Sequence, residues 1–267
     1  MVNNENAVLF KLIKEAANQR YDAMAVKLAE KDTEISTDFI RPLKTMGKHI
    51  ALCQAFAMAR REGKMVYMEK KDHWCWAPLV AFGHIRCERG DEAFEEISRM
   101  IGIEDIGKAK DFFENIPRLP HEKYTGIMVA PLAKAPFTPD IILVNCNNAQ
   151  LRTLLLGIKS QKGALVESRF DPIDSCVWSI IPSLLGGDYR ITLPDPGDYA
   201  RALTDENDII LSIPKAQYDA FTRGLEWQLK KGMTSESFVY DMEGDFARPP
   251  FYNKLYSAWG LDQGKDW

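Results

Sequence analysis

The chain has 267 residues, of which 46% are hydrophobic and 27% charged, with a formal net charge of −4. Such a composition is typical of a globular protein that buries a sizeable core. The acidic balance argues against nucleic-acid binding, which needs a basic stripe. We expect neither a signal peptide nor a membrane span, because no segment reaches the ~18 apolar residues that a spanning helix needs. The sequence therefore predicts a cytoplasmic protein without nucleic-acid or membrane partners, with its thiols reduced.

Hydrophobic spacing predicts the elements of the first half of the chain. Apolar residues at i, i+3 and i+4 indicate helices, and short β-rich apolar runs indicate strands. We predict, in chain order, a helix at 5–19, a strand at 23–28, a helix at 45–62, a strand at 64–69, a helical turn at 75–82, and helices at 91–100 and 106–114.

The second half alternates irregularly between the two kinds of element. The predicted elements are strands at 126–131 and 140–145, a helix at 148–159, a strand at 164–169, a helix at 176–185, strands at 190–193 and 208–213, and a helix at 217–231. Several strands are joined by too little chain for a parallel crossover. The order therefore favours an α+β fold, or α/β, with a mixed β-sheet and flanking helices in a single compact unit.

The C-terminal segment differs from the rest in being aromatic-rich without a clear period. We expect one domain at 1–232, and an extension at 233–267 that packs on the domain or on a partner. Aromatic residues favour interfaces, so we expect a homo-oligomer through this segment, with an intramolecular cover as the alternative. The aromatic residues concerned are Phe251, Tyr252, Tyr256 and Trp259.

Common catalytic motifs are absent from the sequence. There is no Gly-x-Gly-x-x-Gly after a strand, no Walker loop, no His-Glu-x-x-His, no Gly-x-Ser-x-Gly and no Cys-x-x-Cys. These absences remove the commonest nucleotide-binding, hydrolase, zinc-ribbon and thioredoxin-type classes. They do not exclude enzymes whose catalytic residues are dispersed along the sequence.

Three of the five cysteines lie in well-patterned segments. Cys75 lies between two tryptophans and follows His73 by two residues. A thiolate there would ligate a metal while the indoles shield it or stack on a flat substrate. The alternative is a loop whose tryptophans fill the core.

Cys53 and Cys176 are each either a functional thiol or a small residue of the core. His49 precedes Cys53 by four residues, so on one predicted helix both side chains would share a face and a metal. Cys176 opens a predicted helix, where the helix dipole lowers a thiol's pKa. For both, the alternative is a small buried core residue. Cys87 and Cys146 are expected to be bystanders.

Two charged residues are further candidates. Lys27 lies inside an apolar strand, where a lysine either extends to solvent from an edge or faces a pocket and pairs with an anion. Asp195 belongs to a Pro-Asp-Pro-Gly-Asp segment that predicts a turn, from which its carboxylate could reach a site.

Several stretches, in order, resemble the ArCR-type domain-of-unknown-function family (family 169) of archaea and anaerobic bacteria. The resembling stretches are residues 25–28, 53–55, 59–64, 72–75, 129–132, 139–143, 149–150, 176, 193–198 and 208–214. The resemblance implies cysteine at Cys53, Cys75 and Cys176. It also implies that many relatives have a fourth cysteine where this chain has Asp195. It implies no particular activity.

These observations lead to three hypotheses. The first is a lyase for hydration, dehydration or desulfuration of a small, aromatic or acidic molecule. In it, Cys53, Cys75 and Cys176 hold a [4Fe–4S] cluster with one open iron. The catalytic candidates are His73 and Asp195, as proton-transfer groups, and Lys27. The second hypothesis is a zinc site on the same thiolates plus His73 or His49. The third is a non-catalytic small-molecule-binding protein whose cysteines only fill the core.

Overall fold

The structure is a computed structural model that describes residues 4–86, 95–96, 98–99, 101–234 and 249–260. The chain divides into two compact units, Met1–Glu236 and Ser237–Trp267. Cys87 and most of the predicted helix at 91–100 lie outside the described residues. The role predicted for 233–267, as a cover or a docking segment, stays a prediction.

The first unit is built on a six-stranded sheet with strand order β2-β3-β1-β4-β6-β5. The strands are β1 Met24–Ala29, β2 Val66–Glu69, β3 Gly126–Pro131, β4 Ile141–Cys146, β5 Arg190–Thr192 and β6 Ile209–Pro214. All neighbouring strands pair antiparallel. In the described ranges, parallel pairing occurs in the isolated bridges Ile40–Val66 and Ile50–His73. The predicted α+β class is confirmed.

Helices cover the sheet and also form the end of the described chain. They are α1 Asn4–Ala17, α2 Leu52–Glu62, α3 Trp76–Ala81, α4 Ile106–Asn115, α5 Asn148–Lys162, α6 Ser175–Trp178, α7 Ile181–Gly186, α8 Pro196–Arg201, α9 Tyr218–Lys230 and α10 Phe251–Ala258. Within the described part of the chain, none of them is long and apolar enough to cross a membrane.

One face of the sheet packs against the long helices α1, α5 and α9, and we call it the long-helix face. Ala25 of β1 and Ile142 of β4 point into this core, together with Phe221 of α9. Helices α5 and α9 touch through two glycines. A Cβ atom added to Gly224 would lie 2.3 Å from the carbonyl oxygen of Gly157. Only glycine therefore permits this approach of the two backbones.

The opposite face, which we call the short-helix face, packs against α2, α3 and the short pair α6 and α7. Because strand side chains alternate, Val26 of β1 and Leu143 of β4 belong to this second core. Cys176 of α6 and Val177 beside it are part of the same core. The sheet thus separates two apolar clusters.

The predicted helix at 45–62 is wrong in its first two turns. Residues 42–46 form a π-helical turn that ends at Gly47, which has a φ of +66°. Helix α2 begins at Leu52, after the extended Ala51. His49 is exposed and lies outside the helix of Cys53, so the predicted His49–Cys53 face does not exist.

Two other predictions fail for local reasons. Residues 164–169 form no strand, and the apolar Leu165 of that stretch is 77% exposed. The predicted helix at 176–185 is divided into α6 and α7. Pro182 has no N–H group, and its ring clashes with the carbonyl group four residues earlier, which breaks a continuous helix.

Candidate thiol site

The structure brings the three predicted cysteines together from three separate segments. Cys53 is the second residue of α2, Cys75 immediately precedes α3, and Cys176 is the second residue of α6. Cys53 and Cys75 pack in one cluster around Ala202. Cys176 lies close enough to Cys53 for the two thiols to oppose each other's ionisation. We call these three cysteines the thiol site.

Burial keeps the thiols protonated at neutral pH. Cys53 and Cys176 are buried, and Cys75 is half-buried. Desolvation, followed by nearby carboxylates, raises the pKa of Cys53 to about 12 and that of Cys176 well above its ordinary value. Burial also raises the pKa of Cys75. The predicted lowering of the Cys176 pKa by its helix start is wrong, because desolvation and neighbouring acids outweigh it.

Asp195 anchors two helices beside the thiols. It is the N-cap of α8, accepting a hydrogen bond from the Asp198 amide at 2.9 Å, while Asp198 accepts one from the Asp195 amide at 2.9 Å. The other oxygen of Asp195 accepts from the Ser175 amide at 3.1 Å. The Ser175 hydroxyl donates to Asp198. This network fixes the start of α6, and with it Cys176, against the start of α8.

Two further carboxyls of the site titrate close to neutrality. Burial, reinforced by Asp195 and Asp171, raises the pKa of Asp174 to about 7. Burial and Asp195 also raise the pKa of Asp198 to about 6, although its hydrogen bonds and the charge of Arg60 oppose this. Carboxyls at these values exchange protons readily at physiological pH.

Two arginines provide positive charge around this acidic group. Arg201 lies within hydrogen-bonding reach of Cys53 and Cys75. Arg60 is buried and forms an ion pair of 3.1 Å with Asp208, and it donates to the carbonyl oxygen of Ala202 at 2.9 Å. Arg60 therefore ties α2, which carries Cys53, to the end of α8.

His73 lies two residues before Cys75 and forms a buried pair with His84. The ring centres are 5.6 Å apart. Neither ring nitrogen of His73 has a hydrogen-bond partner in the described part of the chain, nor does Nε2 of His84. Burial, with His84 as a minor cause, lowers the pKa of His73 to about 3, and burial first lowers that of His84 to about 4. Both rings are therefore neutral at pH 7.

Lys27 and Cys146 are not brought to the thiol site. Lys27 alternates with Val26 and Leu28, and so lies on the long-helix side of β1, where it lines a cavity of about 450 Å³. Cys146 belongs to the long-helix core, and its Sγ lies 3.7 Å from the carbonyl oxygen of Ile209.

The thiol site does not form a ready-made metal centre. Among the described residues, no three His, Cys, Asp or Glu side chains are placed so that they could hold a metal ion. The arrangement is a group of neutral thiols and partly protonated carboxyls under a guanidinium.

Sequence reasoning missed Arg201 because it interpreted the segment around Asp195 only as a turn. A stronger signal was present: an Asp N-cap, Pro at the first helical position and a second acid at N3 predict a helix start. A helix from Pro196 places residues 197 and 201 on one face. The pairing of His73 with His84 has no sequence signal of this kind.

Comparison with known proteins gives a family without an assigned activity. The chain is 24% identical to an uncharacterized protein of Methanocaldococcus jannaschii over an alignment of 205 residues. This alignment covers 76% of this chain and 86% of that protein. No solved structure matches the chain. The family model described as "Uncharacterised ArCR" matches residues 12–224. On that match, which spans most of its length, the chain belongs to the Uncharacterised ArCR family.

Proposed function

We propose that Cys53, Cys75 and Cys176 hold a [4Fe–4S] cluster with one iron left without a protein thiolate, and that the protein is a lyase for a small organic substrate. The supporting observation is the convergence of these three thiols, from segments far apart in sequence, beside Asp174 and Asp198. When bound, such a cluster supplies a Lewis acid for hydration, dehydration or desulfuration.

The electrostatics of the site support a bound cation. Burial first, and nearby carboxylates second, raise the pKa values of Cys53, Cys176, Asp174 and Asp198, so each of these groups is hard to ionise. A metal centre would compensate these charges and displace the thiol protons. Metal affinity is therefore expected to increase with pH. Ligation would also require the three thiol side chains to turn toward a common point.

The remaining residues have separable roles in this proposal. Asp195 is a positioning residue, because both of its oxygens hold the helix starts beside Cys176. Asp174, with a pKa of about 7, is better suited to transfer a proton than the capping Asp195. His73, neutral at pH 7, offers an unprotonated nitrogen as a proton acceptor. Lys27 lies on the other side of the sheet, and the proposal gives it no role.

Zinc is a second candidate for the same thiols. Three thiolates and a carboxylate are a donor set that zinc accepts, and a carboxylate, Asp195, stands where the family resemblance implies a thiol. His49 takes no part in this version, because it is exposed and lies outside helix α2. Zinc gives no visible absorption, so the two metals are distinguishable.

The test is metal and sulfide analysis of protein produced and purified without oxygen. The proposal predicts a coloured protein with iron and acid-labile sulfide in equal amounts, and loss of both in Cys53→Ser, Cys75→Ser and Cys176→Ser. Cys146→Ser is the matched control, because Cys146 is an equally buried thiol on the long-helix face. A colourless protein with stoichiometric zinc would favour the second candidate. A metal-free protein would leave the cysteines as core residues.

Two coarser parts of the proposal concern the surroundings of the protein. The thiols must be reduced to bind a metal, which favours the cytoplasm. The net charge of −4 supports a function that does not involve nucleic acid. Phe251 of helix α10 and Trp259, which follows the helix, are 58% and 63% exposed, which supports a homo-oligomer through this segment. Light scattering of the wild type and of Phe251→Ser/Trp259→Ser tests it, and a monomeric wild type would contradict it.

A further inference from the structure

The guanidinium of Arg201 is held against the first turn of its own helix. A Cβ atom added to Gly197 would lie 2.6 Å from Nη2 of Arg201 and 3.1 Å from its Cζ. The shorter of these distances is one that real Cβ atoms essentially never show, so the guanidinium would have to move. The position of the guanidinium therefore depends on glycine at 197.

Two other groups fix the same guanidinium. It reaches the thiols of Cys53 and Cys75 on one side. Its Cζ lies 5.0 Å from the ring centre of Trp74, a distance at which cation and indole attract each other. Trp74 is 65% exposed, so the pair stands at the surface of the thiol site.

Arg201 differs from the other site arginine in having no carboxylate partner. Arg60 is paired with Asp208 at 3.1 Å. In the part of the chain that the structure describes, Arg201 forms no ion pair within 4.0 Å. Its contacts are the two thiols, an indole and the first turn of its own helix. The charge of Asp195 also acts on Arg201, but from beyond ion-pair distance, so the exposed guanidinium has no directly paired carboxylate among the described residues.

We propose that Arg201 and Trp74 form a recognition site for the carboxylate of a small planar molecule, whose other end reaches the thiols. The guanidinium presents paired N–H donors that match the two oxygens of a carboxylate. The exposed indole offers a flat apolar face for the body of the molecule. The statement that this ligand is a substrate rests on the proposed function, whereas the binding of a carboxylate does not.

The experiment is titration calorimetry of the protein as purified, with benzoate and with benzamide, its uncharged counterpart of the same shape. We expect benzoate to bind at least about tenfold more tightly, since a charge-assisted hydrogen-bonded pair contributes on the order of 1.5–3 kcal/mol. Arg201→Gln should remove this preference and leave benzamide binding unchanged. Trp74→Leu should weaken both ligands.

The methyl group added by Gly197→Ala also lies 2.9 Å from Oδ1 of Asp195. The variant still tests the position of Arg201, because it keeps the arginine and displaces it. It should lower the affinity for benzoate about as much as Arg201→Gln, by about tenfold or more. Arg41→Gln is the control, since Arg41 also stands over an aromatic ring, Tyr67, at 5.2 Å, and is paired with Glu69. Arg41→Gln should leave the affinities for benzoate and for benzamide unchanged.

Equal binding of benzoate and benzamide, or a preference for benzoate that survives both Arg201→Gln and Gly197→Ala, would overturn the inference. The proposed function fails separately. If Cys53→Ser/Cys75→Ser/Cys176→Ser has the same metal content as the wild type, the metal site is wrong. If it loses its metal and still binds benzoate in an Arg201-dependent manner, both proposals stand.

Discussion

The two faces of the sheet are built differently although they share the same strands. The long-helix face is covered by α1, α5 and α9, which have 14, 15 and 13 residues. The short-helix face is covered in part by α3, α6 and α7, which have 6, 4 and 6 residues. Two of these short helices start beside a thiol, since Cys75 immediately precedes α3 and Cys176 is the second residue of α6. The comparison indicates that both faces contribute an apolar core, and that the short-helix face in addition holds groups that are costly to bury.

The largest expected effect is on the long-helix face. Phe221 is fully buried between α9 and the sheet, so Phe221→Ala should lower the free energy of unfolding by about 3–5 kcal/mol. Denaturant unfolding measures this change. The metal content of the remaining folded protein should equal that of the wild type. A folded variant that has lost its metal would contradict the separation of the two faces.

The histidine pair on the short-helix side predicts an effect of pH. The pKa of His84 in the folded protein, about 4 because of burial, lies below the ordinary histidine value of 6.5. Its stabilising contribution is therefore present above pH 6.5 and is lost as pH falls toward 4. At 1.36 kcal/mol per pKa unit this amounts to about 3 kcal/mol.

The variant that removes this effect is His84→Phe. The wild type should lose about 3 kcal/mol more than the variant between pH 7 and pH 4. Urea unfolding at several pH values measures the difference. Parallel stability curves for the two proteins would show that His84 is not held neutral by burial.

One glycine-to-alanine substitution on each face tests how closely that face is packed. Gly224→Ala places a methyl group against the Gly157 backbone and should cost about 1–3 kcal/mol. Gly186→Ala, in α7, meets nothing within 4 Å and should stabilise the protein by up to about 1 kcal/mol. Thermal unfolding shows whether each variant is less or more stable than the wild type. A neutral Gly224→Ala would show that the long helices are not in close backbone contact.

The smallest expected effect concerns the cap of α8. Asp195→Ala should cost about 1 kcal/mol, because the amides of Asp198 and Ser175 lose their acceptor. Asp195→Asn keeps an acceptor and should cost only a few tenths of a kcal/mol. Unfolding measurements on both variants decide whether Asp195 acts as a cap. Equal losses would mean that its charge matters more than its hydrogen bonds.

Sequence reasoning predicted the central strands well and the short helices poorly. Strands β3 and β4 were placed within one residue, because continuous apolar runs between prolines have few other interpretations. The break before α2 was missed, since Gly47 and the bridge from Ile50 to His73 override a helical pattern. Short helices depend on caps and proline more than on periodicity.

The candidate site likewise has residues that the sequence predicted and residues that it did not. The order of motifs selected Cys53, Cys75 and Cys176, and the structure places them together. Arg201 was not predicted, because the helix start at Asp195 and Pro196 was interpreted as a turn, and because the contact of Arg201 with Trp74 exists only in the folded protein. Burial, which no sequence pattern measures directly, also reversed the expected pKa shift of Cys176.

The most direct test of the central claim is native mass spectrometry of anaerobically purified protein. The account predicts that the wild type and Cys146→Ser carry the added mass of one [4Fe–4S] cluster per chain. It also predicts that Cys53→Ser/Cys75→Ser/Cys176→Ser has the mass of the bare polypeptide. A wild-type protein with the bare mass, even after reconstitution with iron and sulfide, would contradict the account.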